Sequence, residues 1–384
     1  MRIISKNFLE NEIKNVGFDQ NWLKIGINKH KFLNIKINDL RAIEANILKQ
    51  TALSAQCDCA VHKNVINSKI EISDCVLSGT ISQLINVAKK LSYQPLSLPK
   101  IGQEIIEQIN IFNKKPKETK IVGILNITEN SFSDGNEFLK FDKTIERIEE
   151  IITQGAQIVD IGAESTKPNS IAIDPNIELE RLLPAINYIK TNHPQIEISI
   201  DTRNATTAKK VLKQGVHYIN DVSGLNYDKD MAKTVAEFKN SKIIISHNRA
   251  TPDVMNDFCN YNSLIDEVYF ELKAQVQNAL NGGILKDNII IDPAFGFSKN
   301  TEQNIELMMR IEEFKSMGYP IMVGVSRKRF LQAMANVNSP KEADEITGFT
   351  SAYFATKNIE YIRVHNVKKT KEAINFAQHL LQKV

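Results

Sequence analysis

The sequence predicts an α/β protein, a (β/α)8 TIM barrel preceded by a small α+β domain. Three observations carry that prediction: eight short β-branched runs recur between residues 121 and 364, amphipathic segments separate them, and glycines follow four of those segments. Runs that are apolar on both sides suit strands of a parallel sheet buried on both faces. Repeated βα units over roughly 265 residues match the size of a closed barrel. A doubly wound open sheet is the alternative, but it would place function at one crevice instead of on every strand end.

In chain order, the strand-like runs are residues 121–127, 158–162, 196–200, 218–220, 242–246, 288–291, 321–325 and 361–364. Helical patterns cover 142–154, 176–190, 205–214, 264–281 and 301–317. Asp142, Asn204 and Asn262 or Ser263 read as N-caps, and Gly155, Gly215, Gly282 and Gly318 as stops. Residues 1–116 lack this rhythm and form the separate α+β domain, with the barrel over 117–384. Within the first domain a strand-like 69–77 leads through Ser78, Gly79 and Thr80 into an amphipathic helix over 81–91. The stretch 95–99 and the Lys-rich 113–120 read as a connection. Residues 1–40, rich in Asn, Lys and Ile, say little more.

A chain of 384 residues, 42% hydrophobic and 24% charged, has ample material for two domains and a large core. The net charge of +3 suits a small anionic substrate and gives no support for nucleic-acid binding. Cys57, Cys59, Cys75 and Cys259 are too few for a disulfide framework. The Cys57/Cys59 pair has no second pair at zinc-finger spacing, so it reads as reduced structural thiol. The N-terminus carries Glu10 and Glu12 and no continuous apolar core, and no apolar run approaches the ~20 residues of a membrane span. A cytoplasmic protein without membrane contact is expected.

In a barrel of this kind the carboxyl ends of the strands face one mouth and carry the chemistry. Those ends hold Asn126; Glu164, Ser165 and Thr166; Asp201 and Thr202; Asn220 and Asp221; His247 and Asn248; Asp292; Ser326, Arg327 and Lys328; and Arg363 with His365. Each alone is a common turn or cap residue. The whole set on one face is hard to explain by turns. Asp201, Asp292, Asn220 and Lys328 can form a donor–acceptor ring for a flat heterocycle with a guanidine-like edge, with Asp292 pairing bidentately to an amino-pyrimidine. Lys167, Arg363 and His365 supply positive charge at the rim, fit for a phosphate or diphosphate. For Lys167 a solvated loop charge is an equal alternative.

These residues lie in motifs that carry a resemblance. IVGILNIT at 121–128 with SFSDG at 131–135 resembles the first-strand signature of the dihydropteroate synthase family, and DIGAESTKP at 160–168 resembles its second. IDT at 200–202, INDV at 219–222, DPAFGF at 292–297, SRK at 326–328 and RVH at 363–365 follow in order. The resemblance covers about 120–384 and implies a reaction joining p-aminobenzoate to 6-hydroxymethyl-7,8-dihydropterin diphosphate, with release of pyrophosphate. It implies that Asp201, Asn220, Asp292 and Lys328 hold the pterin ring and that Asn126 contacts a diphosphate-bound Mg²⁺. It further implies that Thr166, Lys167, Arg363 and His365 contact phosphate or the ring face, and that Phe297 and Ser326 lie near the aminobenzoate. Asp201, Lys328 and Arg363 are then the residues that carry the reaction. Loops at about 128–138 and 167–174 would close over the diphosphate. The family also implies a homodimer paired through the last helices, and sulfonamides that compete with p-aminobenzoate.

The chain departs from the family pattern at several places. Glu129 and Asn130 replace Pro-Asp, Lys167 replaces Arg, Asn248 replaces Met, Ala294 and Asn358 replace Gly, and Asn366 replaces Asp. A pterin-dependent methyltransferase serving a corrinoid protein shares the ring-binding carboxylates and is the main alternative. It has no use for a diphosphate site, so 131–135, Lys167, Arg363 and His365 argue against it. A pterin-binding paralogue without synthase activity is the third reading, motivated by Asn248 and the first loop. Residues 48–54, 58–62 and 77–91 are similar to an extension found ahead of the barrel in some synthase-like proteins. The segment is too short, and lacks the acidic pair, for the pyrophosphokinase often fused to this enzyme. His62 near Asp58 reads as structural or surface.

Overall fold

The computed structural model describes residues 1–115, 117–127, 137–164, 173–250 and 254–381. The chain divides into two compact units, with the break after Lys115.

The first unit holds a three-stranded antiparallel sheet in the order β1-β3-β2, from β1 (Phe32–Arg41), β2 (Asp58–Val61) and β3 (Ile72–Thr80). Residues of β3 alternate between exposed and buried, which turns Ser73, Cys75, Leu77 and Gly79 inward. Helices Ala42–Ser54, Ile81–Leu91 and Leu98–Phe112 complete the core, where Leu48, Leu77, Leu84, Leu91 and Leu98 are fully buried. The strand expected at 69–77 is displaced to Ile72–Thr80. Its last residue starts the next helix: the Thr80 hydroxyl accepts from Gln83 N–H while the Gln83 carboxamide oxygen accepts from Thr80 N–H. The stretch 95–99 is more than a connection, because Pro99 stands in the first turn of helix Leu98–Phe112, where its missing N–H costs nothing. All four cysteines are free thiols, and Cys57, Cys59 and Cys75 are buried.

The second unit is an eight-stranded parallel sheet built from β4 (Lys120–Asn126), β5 (Ile158–Gly162), β6 (Glu197–Asp201), β7 (Tyr218–Asp221), β8 (Lys242–Ser246), β9 (Ile289–Asp292), β10 (Met322–Val323) and β11 (Tyr361–Val364). Neighbours pair in chain order, β11 pairs with β4, and a bridge between Ile291 and Ile321 joins β9 to β10. The sheet therefore closes into the predicted barrel. Helices between the strands include Glu137–Thr153, Pro175–Asn192, Ala205–Lys213, Leu264–Asn281, Thr301–Met309 and Asp344–Thr356, and Val367–Leu381 follows the last strand.

Several boundaries differ from expectation. Asp142 lies inside the helix that begins at Glu137 and is not its cap. The pattern at 301–317 breaks at Arg310 into an α-helix and a 3₁₀ stretch, Ile311–Met317. After helix Leu264–Asn281 the left-handed residue is Gly283 (φ 96°), not Gly282, whose backbone is still helical. β10 has only two residues, where five were expected.

Register decides what the barrel encloses. Val122, Ile158, Tyr218, Ile244, Ile290, Met322 and Tyr361 form one buried interior cluster. Two residues further along each strand the same face recurs. That face carries Ile124, Asp160, Asn220, Ser246, Asp292, Gly324 and Arg363, so the interior turns from apolar to polar toward the carboxyl ends.

Candidate active site

The polar layer is organised around Arg363 on β11. Its Nε donates to Asp160 Oδ2 at 2.6 Å and its Nη2 to Asp201 Oδ2 at 2.7 Å. Asp160, at mid-strand on β5, also accepts from Ser199 Oγ (2.5 Å) and from Asn220 Nδ2 (3.2 Å). Four strands are thus joined through one buried carboxylate. Burial pushes Asp201 up from the ordinary carboxylate range, Arg363 opposes the shift, and Asp160 adds to it.

Asn220 is the best pointer to a ligand. Its Nδ2 is fixed on Asp160, but its Oδ1 is buried and, among the described residues, has no hydrogen-bond partner. A buried unpaired acceptor is costly unless a ligand N–H completes it. Asp292, at the end of β9, is 7% exposed and accepts from Ala294 N–H through Oδ1 at 2.7 Å. Burial raises its pKa, offset first by Lys328. Lys328 donates to Phe295 O, and its Nζ lies 4.5 Å from the Phe297 ring centroid. Burial lowers the ammonium to about 8, with Asp292 holding it up. Gly296 suits the place beside it: the residue has φ +78°, and a Cβ there would crowd Lys328 Cδ at 3.1 Å.

The turns that carry these groups are tied down from outside the barrel. After Asp201, Thr202 N–H donates to Asn220 O (3.1 Å), while buried Glu178 accepts from Asn204 Nδ2 (2.9 Å) and Thr207 Oγ1 (2.6 Å). Arg203 forks onto Glu164 at 2.7 and 3.2 Å. Asp221 faces away from the interior and accepts from Ser223 and Leu225 N–H groups (2.8 and 2.9 Å). Asn248 is engaged by backbone, donating to Val222 O (3.4 Å) and accepting from Ala250 N–H (3.2 Å). Ala294 (φ 55°) and Asn358 (φ 52°) both adopt left-handed backbone. That is the physical reason glycine suits those two positions. An L-residue there costs roughly 1–2 kcal/mol, with Asn among the better tolerated.

The structure brings Asp201, Asn220, Asp292, Lys328 and Arg363 together. It adds Asp160 and Ser199, which the sequence reading did not single out, although Asp160 is a charge inside an otherwise apolar run in the inward phase. Phe297 lies under Lys328, and Ser326 beside His365. Asn126 stands exposed at the end of β4, paired in register with Gly162. Thr166, Lys167, Glu129, Asn130 and the segment 131–135 fall outside the described residues, and so does most of the second loop.

Two expectations need correction. Arg363 is not a free cation at the rim: two of its donors are committed to carboxylates inside the barrel. His365 is not a positive charge either. Burial, with Arg327, Arg363 and Arg147 nearby, pushes it down to about 3, so it is neutral at physiological pH. The Ser326 hydroxyl accepts from the His365 backbone N–H (3.2 Å) and lies 3.0 Å from His365 Nδ1. A hydroxyl donating to Nδ1 leaves Nε2 as the N–H donor of the ring.

The arrangement is a buried ring of acceptors, Asp201, Asp292 and Asn220 Oδ1, with an ammonium and a neutral imidazole beside it. It suits a flat ligand bearing several N–H donors. Comparison with known proteins points the same way. A family model described as "Pterin binding enzyme" matches residues 122–365. The dihydropteroate synthase of Bacillus subtilis (strain 168) is 35% identical over 289 residues, which cover 74% of this chain and 98% of that protein. Among solved structures, dihydropteroate synthase from Anaplasma phagocytophilum with bound 6-hydroxymethylpterin-monophosphate has a TM-score of 0.62 at 34% identity, covering 69% of this chain and 100% of that one. Dihydropteroate synthase from Thermus thermophilus in complex with 4-aminobenzoate has a TM-score of 0.61 at 30% identity, covering 69% and 95%.

Proposed function

The chain belongs to the dihydropteroate synthase family, and from that premise we propose how its own residues serve the family reaction. The enzyme is a transferase of folate biosynthesis. It joins 6-hydroxymethyl-7,8-dihydropterin diphosphate to p-aminobenzoate and releases pyrophosphate. Its named relatives decide for this reaction over the corrinoid methyltransferase that the motifs alone left open.

The unpaired Asn220 Oδ1 carries the placement of the pterin ring. An amino-pyrimidine edge would donate to Asp292, whose Oδ2 faces away from the Ala294 bond, and to Asn220 Oδ1. Lys328 would donate to ring oxygen or nitrogen, and Phe297 would border the aminobenzoate. When the C–O bond to the diphosphate breaks, positive charge develops on the methylene and spreads into the ring. Asp201, buried and held in place by Arg363, is positioned to stabilise that charge. The p-aminobenzoate nitrogen then forms the C–N bond and loses a proton. No nucleophilic side chain is needed, because the work is orientation and electrostatics.

Mg²⁺ fits the donor set present. Asn126, an exposed amide oxygen donor at the end of β4, stands at the mouth. Such a site suits an ion carried mainly by diphosphate oxygens and water. Asn126 would hold the ion, which would neutralise charge on the leaving group. Thr166, Lys167, Arg363 through its remaining N–H groups, and His365 through Nε2–H would contact the diphosphate.

We further propose a homodimer and a cytoplasmic location. Helices Asp344–Thr356 and Val367–Leu381 pack on each other, and large apolar side chains are exposed on both, Phe349 on the first and Phe376 and Leu380 on the second, which supports pairing through them. The free thiols suit a reducing compartment. No helix among the described residues is long and apolar enough to cross a membrane.

The test is direct. Purified protein given the pterin diphosphate, p-aminobenzoate and Mg²⁺ is expected to release pyrophosphate and dihydropteroate in equal amounts. Tight pterin binding with no product at high enzyme concentration would overturn the synthase reading. A second expectation concerns His365. His365→Ala should lower diphosphate-dependent turnover roughly 100–1,000-fold, the scale of one lost transition-state donor. Because the ring stays neutral, wild-type imidazole resonances of His365 should show no titration between pH 5 and 8 in NMR. Equal turnover of variant and wild type would remove the diphosphate role.

A further inference from the structure

Lys299 lies just beyond the ring-binding motif, six residues after Pro293, and none of the roles above uses it. It is 6% exposed, and its ammonium has three acceptors: Ala294 O at 3.1 Å, Phe297 O at 3.0 Å and His247 Nδ1 at 3.0 Å. An ammonium has three N–H donors, so the set is complete. His247 is itself fully buried, and its Nε2 lies 2.9 Å from Glu271 Oε2. For Lys299 to donate to Nδ1, His247 must be the neutral Nε2–H tautomer, and Glu271 is placed to accept that proton. Burial, and next the Lys299 charge, push His247 down to about 4, in keeping with a neutral ring.

What Lys299 holds is the loop 293–298, an irregular segment with left-handed backbone at Ala294 (φ 55°), Gly296 (φ 78°) and Ser298 (φ 49°). Such a path turns successive carbonyls toward different sides, and four of the six are held by side chains. Ala294 and Phe297 carbonyls accept from Lys299, Phe295 O from Lys328, and Ser298 O from Tyr261 Oη at 3.0 Å. On the donor side, Ala294 N–H goes to Asp292 Oδ1 and Gly296 N–H to Asn304 Oδ1 at 2.6 Å. The loop therefore has no regular ladder of its own. Its shape is set by two buried ammonium groups and a few fixed side chains.

We propose that Lys299 is a positioning residue of this enzyme: its ammonium, oriented by His247 and Glu271, holds the 293–298 loop in the shape that presents Asp292 and Phe297 to the pterin pocket. This deepens the reading of the pocket given above and rests on it. Lys299 need not touch a ligand. Through the Ala294 carbonyl it fixes the residue whose N–H orients Asp292, and through the Phe297 carbonyl it fixes the ring beneath Lys328. Burial lowers the Lys299 ammonium to about 7; Asp292 and Glu271 oppose that shift, Lys328 and Arg249 add to it, and His247 lies in contact.

The experiment uses the full-length protein, with 6-hydroxymethylpterin as the probe. Lys299→Met keeps the bulk of the side chain and leaves all three acceptors without a donor. Backbone amides of 294–298 are expected to exchange with deuterium at least ten times faster, while peptides from β4 to β8 are unchanged. Affinity for 6-hydroxymethylpterin should fall about 10–100-fold, the usual range for losing a group that orients a ligand-binding residue. In the wild type, ¹⁵N resonances of His247 should show a bare Nδ1 and a protonated Nε2, and the Nδ1 resonance should move in Lys299→Met. A folded variant with unchanged loop exchange and pterin affinity overturns the proposal. So does a wild-type His247 carrying its proton on Nδ1, a measurement that stands even where the variant fails to fold. If the wild type does not bind the pterin while exchange and tautomer come out as expected, the reading of the pocket falls and the role of Lys299 in shaping the loop stands.

Discussion

Arg363→Met is expected to destabilise the barrel by about 3–5 kcal/mol at pH 8, the range found when one partner of a buried ion pair is removed. Methionine roughly preserves the volume but leaves Asp160 and Asp201 as uncompensated carboxylates, with side chains 0% and 12% exposed. The effect carries a pH signature with a definite sign. Burial already raises Asp201, and the Arg363 charge is the first influence opposing it. With that charge gone, the folded variant binds protons at pH values where the unfolded chain, with carboxylates near 4, does not. Stability of the variant relative to wild type therefore falls as pH rises through the raised carboxyl pKa. The penalty is full above that window and shrinks as pH drops toward about 4. Urea unfolding at pH 5 and pH 8 measures the sign: the variant should lose more stability relative to wild type at pH 8 than at pH 5. A variant within about 1 kcal/mol of wild type at pH 8 would show that the pair contributes little. Arg363→Lys should recover only part, because a single ammonium cannot reproduce the planar fork that meets two carboxylates.

The same residues show what the sequence could reveal and where it fell short. The eight βα units were legible because parallel strands buried on both faces are written as β-branched runs, and Gly155, Gly215 and Gly318 mark helix ends with a left-handed turn. Asp201, Asn220 and Asp292 were legible because they stand at strand ends, where a polar residue interrupts an apolar run, and Lys328 because it lies in the short polar turn after the apolar run 321–325. Asp160 and Ser199 were not, because a polar residue in mid-strand looks like a tolerated exception until register shows that it points into the barrel. The availability of the Arg363 charge and the ionic state of His365 escape the sequence for a related reason. Sequence shows a cation at a strand end, but only the fold shows which carboxylates and arginines surround it. In the first unit, Leu33, Ile35 and Ile37 alternate with Asn34, Lys36 and Asn38, a readable strand pattern hidden by the polar composition around it. Residue type, spacing and phase are local properties. Charge state and hydrogen-bond partners are set by residues as far away in sequence as Asp160 and Arg363.

Asp292→Asn is expected to cost roughly 10³-fold in pterin affinity, about 4 kcal/mol, while leaving the fold intact. The asymmetry follows from the bonds the carboxylate makes. Its Oδ1 accepts from Ala294 N–H at 2.7 Å, and an asparagine carbonyl oxygen can keep that bond. The change falls on the other oxygen. There an NH₂ group would replace an acceptor and meet the amino edge of the pterin donor to donor. A buried ligand N–H would lose a charge-assisted bond and gain an unsatisfied contact, the costlier side of hydrogen-bond exchange. Stability should move in the opposite direction or hardly at all. Burial raises the pKa of Asp292, so the native carboxylate is held at a cost that a neutral amide does not bear. Removing its charge also removes a group that holds Lys328 up, so the Lys328 pKa is expected to fall further below about 8. Calorimetric titration with 6-hydroxymethylpterin and thermal unfolding of the same variant separate the two effects. A variant that binds the pterin within tenfold of wild type would remove Asp292 from the ring site. One that binds poorly because it has also unfolded would place its main role in the loop it anchors.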